Sequence, residues 1–364
     1  MCRESKIELK EAVMLVTMAL ITELFLTFPA LLAYEGRTAA WLVLLVATLV
    51  AAIAFLPTAI LLERYRDKSI IEIGEELLGP IGNAFFTIII FLFFLVITSL
   101  ILRQYAERTI TVSLNNLPLS VAMVMLLVGA AVACYLGLDA INRSVWIVGF
   151  IIIFLLLLVQ LLPFPYWQTD YLFPLGGPGL KEILFEGLKR SSLFSEVLLL
   201  AVIYPSLPKS SARPVGLTGL FLSGLIMAFT IFTTQLVFPV PVFQEMSLPT
   251  FETSRLIYFG RFVQRLESVF VPLWVLACLI KVSLGCYLMC FILTRWLKLP
   301  YYRPFILPVV VITMAIAFIP ANINEAVWVD TQIVRAFGAI PAFGLPALLL
   351  PFAFWRRKQR GKAR

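Results

Sequence analysis

Ten stretches of this chain stay apolar for about the 20 residues that an α-helix needs to cross the hydrocarbon core of a bilayer. They cover residues 12–33, 39–62, 81–111, 117–137, 144–162, 186–207, 215–238, 266–294, 304–321 and 331–355. In lipid every backbone N–H and C=O must find its partner inside the protein, so segments of this length fold as helices. Apolar residues fill 61% of the 364 positions and charged residues only 14%, against about half and a quarter in an ordinary soluble domain. The expected fold class is all-α and integral to the membrane, with ten transmembrane helices in a single polytopic domain.

The connections give an orientation. With the N-terminus in the cytoplasm, 18 of the 29 Lys and Arg residues fall in inner loops and at the termini, against eight in the outer connections and the outer ends of the adjoining segments (Arg108, Lys189 and Arg190). Arg103, Lys281 and Arg335 remain inside segments. Positive charge gathers on the cytoplasmic side, so both termini are expected there, the last as a basic tail at 356–364. The N-terminal MCRESKIELKEA carries three glutamates and no small-residue cleavage site, and is expected to be retained rather than removed as a signal peptide. These loops account for the net charge of +8. The basic residues do not interleave with aromatics on one face, so no nucleic acid partner is expected.

The outer connections 163–185 and 239–265 are rich in proline and aromatics, which suits interfacial segments packed against the bundle. In the second, Phe251, Tyr258, Phe259, Phe262, Val263 and Leu266 share one helical face, with Glu252, Arg255, Arg261 and Arg265 on the others. That spacing predicts an amphipathic surface helix starting at Pro249 and Thr250 and bending at Gly260. The inner loop 63–80 is expected to form a short surface helix ended by Gly79 and Pro80.

Several chemistries are excluded. The chain has no histidine, which removes His-based metal sites and Ser-His-Asp or Cys-His catalysis. Cys2, Cys134, Cys278, Cys286 and Cys290 form no CxxC pair and read as core thiols. No phosphate loop or nucleotide motif is present, so neither a cofactor nor enzyme activity is expected.

Each ionisable group near the centre of a membrane helix costs about 2.5–3.5 kcal/mol and so calls for a partner or a cavity. Glu23, Arg103, Glu107, Glu196 and Lys281 are such groups. Segment 1 carries Thr22-Glu23-Leu24-Phe25-Leu26-Thr27-Phe28-Pro29, where Pro29 frees a carbonyl one turn earlier. Segment 6 carries Arg190-Ser191-Ser192-Leu193-Phe194-Ser195-Glu196, with Pro205 and Pro208 beyond it. These positions correspond in two halves of five segments, about 11–162 and 182–355, as in inverted repeats whose first helices are interrupted around a mid-membrane site.

In the ligand-binding reading, Glu196 or Glu23 faces an amine, and Arg103 or Lys281 faces a carboxylate or balances the acids. Thr22, Thr27 and Ser195 supply hydrogen bonds and Phe194 an apolar wall. In the alternative reading the charges form packing pairs, such as Glu23 with Lys281, or Arg103 with Glu107 four residues on. Glu252 and Arg255, three apart, suit a surface pair in a packing or partner-docking role. Segment 5 is uncharged, with Gln160 its strongest polar group.

The run Leu248-Pro249-Thr250-Phe251-Glu252 with Arg255, then Gly260, Gln264-Arg265-Leu266-Glu267, Trp274 and Lys281-x-Ser283, is one part of a recognisable pattern. Phe194-Ser195-Glu196 and Tyr204-Pro205 are the other. Together they resemble the GerAB family of spore germination proteins, permease-like B subunits of nutrient germinant receptors in the amino acid/polyamine/organocation permease superfamily. The resemblance implies a LeuT/APC-like 5+5 inverted repeat with a central site lined by segments 1, 3, 6 and 8, on which the five candidate charges fall. It implies Pro249, Thr250, Glu252 and Arg255 as family signature residues. It further implies nutrient sensing in the spore inner membrane, a small-molecule germinant such as an amino acid, and an A-type membrane subunit and a C-type lipoprotein as partners. A proton-coupled amino acid permease and a purely structural assembly subunit are the alternatives.

Overall fold

In the computed structural model, which describes residues 7–113, 116–259, 263–264 and 267–362, the first apolar segment is two helices rather than one. α1 (Leu9–Ile21) passes into a 3-10 turn at Thr22–Phe25, Leu26 is extended, and α2 (Phe28–Gly36) carries Pro29 in its first turn. Proline has no N–H to continue a helix, so the break falls just ahead of it. α3 (Ala40–Arg64) follows. α4 (Ile70–Ser113) begins as a separate short helix that ends at Gly79, whose φ of 74° suits glycine. The inner helix expected over 63–80 therefore forms, but it buries Ile70, Ile71 and Ile73 against the bundle. α5 (Leu119–Leu136) and α6 (Leu138–Leu161) complete the first half.

The sixth segment is broken as the first is. α7 (Leu180–Arg190) runs into a 3-10 stretch at Ser191–Leu198 and then α8 (Leu199–Ile203). α9 (Ala212–Val237) packs tightly on α3, because a Cβ at Gly216 would overlap the Phe55 ring and one at Gly224 would overlap Thr48. α10 (Val240–Glu245) and α11 (Pro249–Arg255) lead to a two-residue antiparallel pairing of β1 (Tyr258–Phe259) with β2 (Val263–Gln264). Then come α12 (Glu267–Trp296), α13 (Ile306–Ala317) and α14 (Ile323–Trp328). The last segment continues through a π-helical turn at Val329–Val334, α15 (Arg335–Phe337), a second π-helical turn at Ile340–Gly344 and α16 (Leu345–Lys362).

Two expectations change. The amphipathic helix of the second outer connection stops at Arg255, because Tyr258-Phe259 and Val263-Gln264, aromatic and β-branched residues around a glycine, favour a hairpin. Nor does its first part lie on a surface, since Pro249, Thr250, Phe251, Thr253 and Ser254 are buried. Gly260, Arg261, Phe262, Arg265 and Leu266, like Cys2, lie outside the described residues. Among the described residues, seven helical stretches are long and apolar enough to cross a membrane. The ten expected segments are not ten continuous helices: the first and sixth are broken and the ninth, α13, has 12 residues.

Burial sorts the helices. The apolar window of α12 is 83% buried and that of α5 only 28%, so α12 stands at the centre while α5 presents Val121, Met125 and Val128 outward. Cys134, Cys278, Cys286 and Cys290 are free and buried, as core thiols should be.

Candidate functional site

A broken membrane helix releases carbonyls that must be satisfied elsewhere. Three side chains meet those of the first segment. Lys281 of α12 donates to the Ala19 carbonyl at 3.0 Å, Tyr105 of α4 to Thr22 at 2.7 Å, and Thr250 of α11 to Leu24 at 2.7 Å. The break is thus held from three sides.

Charges converge on the same place. Lys281 pairs with Glu23 and, at 2.9 Å, with Glu196. Arg335 reaches the same two carboxylates, Nη2 lying 2.9 Å from Glu23 and Nη1 3.8 Å from Glu196, while its Nε donates to Asp330 at 3.2 Å. Gln104 donates to Asp330 at 3.1 Å. All five charged groups are buried, so three carboxylates face two cations in a centre shielded from bulk solvent. In such a place an ion pair holds firmly only while both partners remain.

The pairing of Asp330 with Arg335 depends on the backbone between them. Five residues along an α-helix turn a side chain about 140° away from its starting direction. The i→i+5 bonding of the π-helical turn at Val329–Val334 stacks them on one side instead.

Two small spaces flank the cluster. One is bounded by Glu196 and Lys281 with Thr98, Ile101 and Gly285, the other by Glu23, Asp330 and Arg335 with Thr27, Gln104 and Thr331. Each offers about 10 Å³ for the centre of a water molecule, enough for about one water.

Glu23, Glu196 and Lys281 come together here. Arg103 does not join them: it pairs with Glu107 at 2.7 Å, along the i,i+4 spacing. The Thr22 hydroxyl is used by the Ala19 carbonyl, and Thr27 accepts from Arg108 at 3.1 Å beside the second space. Phe194 and Ser195 are buried in the second break, the Ser195 hydroxyl without a hydrogen-bond partner. Pro249 is buried, and Glu252 pairs with Arg255 at 3.1 Å on an exposed face. Gln160 accepts from Thr233 at 2.8 Å, joining α6 to α9.

Sequence reasoning left out Gln104, Tyr105, Asp330 and Arg335. Arg335 carried the usable signal, a charge within an apolar segment, whereas Asp330 falls just ahead of the segment expected at 331–355.

The fold matches that of Mhp1, a nucleobase-cation-symport-1 family transporter solved in a closed conformation with bromovinylhydantoin bound. The TM-score is 0.64 over 95% of this chain and 80% of that one, at 11% identity. The architecture is therefore the LeuT-like all-α membrane bundle of two interrupted halves. Spore germination protein KB of Bacillus subtilis (strain 168) is 23% identical over 346 residues, 90% of each chain. Spore germination protein XB of Bacillus anthracis is 22% identical over 342 residues, 92% of this chain and 93% of its own. The spore permease family model, described as spore germination protein, matches residues 6–326. By this match across most of its length, the chain belongs to the spore germination protein family of multi-pass, permease-like membrane proteins.

Proposed function

We propose that this chain is the nutrient-sensing B subunit of a spore germinant receptor. A small-molecule germinant, an amino acid, binds between the two broken helices and shifts the bundle to another state. The observation that carries this reading is the buried cluster of Glu23, Glu196, Asp330, Lys281 and Arg335 at the helix breaks. Intramembrane charges mark ligand or ion sites by default. Glu23 and Glu196 take the ligand ammonium, Thr27 and Ser195 add hydrogen bonds, and Phe194 forms an apolar wall. With room for only about one water in each of the two spaces beside the cluster, the ligand enters by opening the bundle, so binding and conformational change are linked. Signalling then needs only different affinities for the two states.

The chain works as one polytopic domain in the spore inner membrane, both termini cytoplasmic, with an A-type membrane subunit and a C-type lipoprotein as partners. Family membership supports this setting. The test is dipicolinate release from spores with and without the chain, across amino acids, sugars and nucleosides. Loss of the response to one nutrient class is expected. Unchanged responses from spores in which this is the sole receptor would sink the reading.

The transporter-like fold favours a second reading, a proton-coupled amino acid permease. Concentrative uptake of labelled amino acids into vesicles under a proton gradient would establish it.

A further inference from the structure

Unused hydrogen-bonding capacity in a dry interior marks where a ligand belongs, because native proteins rarely leave buried polar atoms unmet. Where the second break meets the tenth segment, Ser195 Oγ has no hydrogen-bond partner, and Glu196 Oε1 and both terminal nitrogens of Arg335, each within ion-pair distance of an opposite charge, make no aligned hydrogen bond. The two segments touch at this level: a Cβ added to Gly338, one turn past Arg335, would lie 3.2 Å from Ser195 Oγ.

Two cations border the site, and they differ in what they have left to give. An ammonium has three donors, and Lys281 spends two of them on Ala19 and Glu23 and lies 2.9 Å from Glu196, which leaves one. A guanidinium has five. Arg335 directs Nε at Asp330, while Nη1 and Nη2 face Glu196 and Glu23 without an aligned hydrogen bond. A planar fork with unspent donors is matched by two oxygens on one carbon.

We infer that Arg335 is the carboxylate receptor of the site. The germinant carboxylate seats on Nη1 and Nη2, the Ser195 hydroxyl adds a third donor, and the germinant ammonium takes over the carboxylates of Glu23 and Glu196 that the guanidinium gives up. This rests on the ligand-sensing reading above and narrows it. The ligand carries a carboxylate and an amine close together, as an α-amino acid does, and every buried charge stays paired through the exchange. Sugars and nucleosides, with no carboxylate, do not act through this site.

The test uses spores whose only nutrient receptor contains this chain. Each protein amino acid is compared with its own α-amide, with glucose and adenosine as further probes, by dipicolinate release. At least one free amino acid should act, with its α-amide about tenfold or more less potent, the equivalent of about 1.4 kcal/mol for one lost charge-assisted hydrogen bond. Arg335→Lys, which keeps the charge but not the fork, should lower apparent affinity by a similar factor at equal membrane abundance. If Arg335→Lys fails to accumulate, the acid and amide comparison in the unaltered chain decides alone. Equal potency of acid and amide would overturn the assignment of Arg335 while leaving ligand sensing intact. Response to glucose or adenosine, abolished by Arg335→Lys, would overturn it too. Silence to every probe would remove the sensing reading and this one with it.

Discussion

Lys281 and Ala19 meet at 3.0 Å where α1 stops, so one ammonium both satisfies a carbonyl released by the helix break and neutralises carboxylates from two broken segments. Lys281→Met leaves three acids to one base and takes from that carbonyl one of its two side-chain donors, the Thr22 hydroxyl remaining. Removing one member of a buried ion pair costs about 3–5 kcal/mol. The variant is expected to accumulate poorly, with a lower melting temperature in detergent. Adding Glu23→Gln should recover part of the loss by rebalancing the cluster. A double variant no more stable than the single one would show that charge balance is not the cause.

Glu196→Gln keeps the shape of the side chain and removes its charge. Glu23 still pairs with both Lys281 and Arg335, so the bundle should assemble at normal membrane levels. The nutrient response should weaken by about tenfold, the value of a charge-assisted contact to a ligand ammonium. Unchanged sensitivity at equal abundance would take Glu196 out of the site.

How much of this was legible in the sequence differs from element to element. Both breaks were, because Pro29 and the polar runs at 22–27 and 191–196 cannot sit quietly in a lipid-facing helix. The cost of burying Glu23, Glu196 and Lys281 said only that each needs a partner or a cavity; that they share one place was implied by the family resemblance, which sets segments 1, 6 and 8 around a central site. Arg103 was ambiguous because a partner four residues away serves as well as a distant one, and the nearer partner, Glu107, is the one it takes. Asp330 was hidden for a geometric reason: it lies five residues before Arg335, a spacing that separates side chains on an α-helix and unites them on a π-helical turn. The outer helix failed at Arg255 because a run of aromatics fits helical spacing and strand pairing alike.

Arg190, at the end of α7, donates through Nε to Glu35 of α2 at 2.6 Å and is itself buried. The pair joins the two broken segments and, in the proposed orientation, lies toward their outer ends; if it holds the bundle shut there, its loss opens the path to the second space. Arg190→Gln should loosen that closure. A cysteine placed at Leu31, beside the second space, should then react faster with a membrane-impermeant maleimide. A rise of about tenfold corresponds to the loss of one such contact. An unchanged rate would mean that the pair fixes packing without controlling access.

Thr250 separates a structural role of the outer segment around α11 from a docking one. Its hydroxyl donates to the Leu24 carbonyl inside the first break, whereas the neighbouring pair of Glu252 and Arg255 is exposed. Thr250→Val preserves volume but leaves that buried carbonyl dry, at a cost of about 1–3 kcal/mol. Glu252→Gln disturbs a surface pair worth about 1 kcal/mol or less. Thermal unfolding of the isolated chain should therefore respond to the first change and barely to the second. Co-purification with an A-type subunit tests the other role: Glu252→Gln should reduce it if the exposed pair docks a partner. If Thr250→Val leaves the melting temperature unchanged, the hydrogen bond to Leu24 does not stabilise the break.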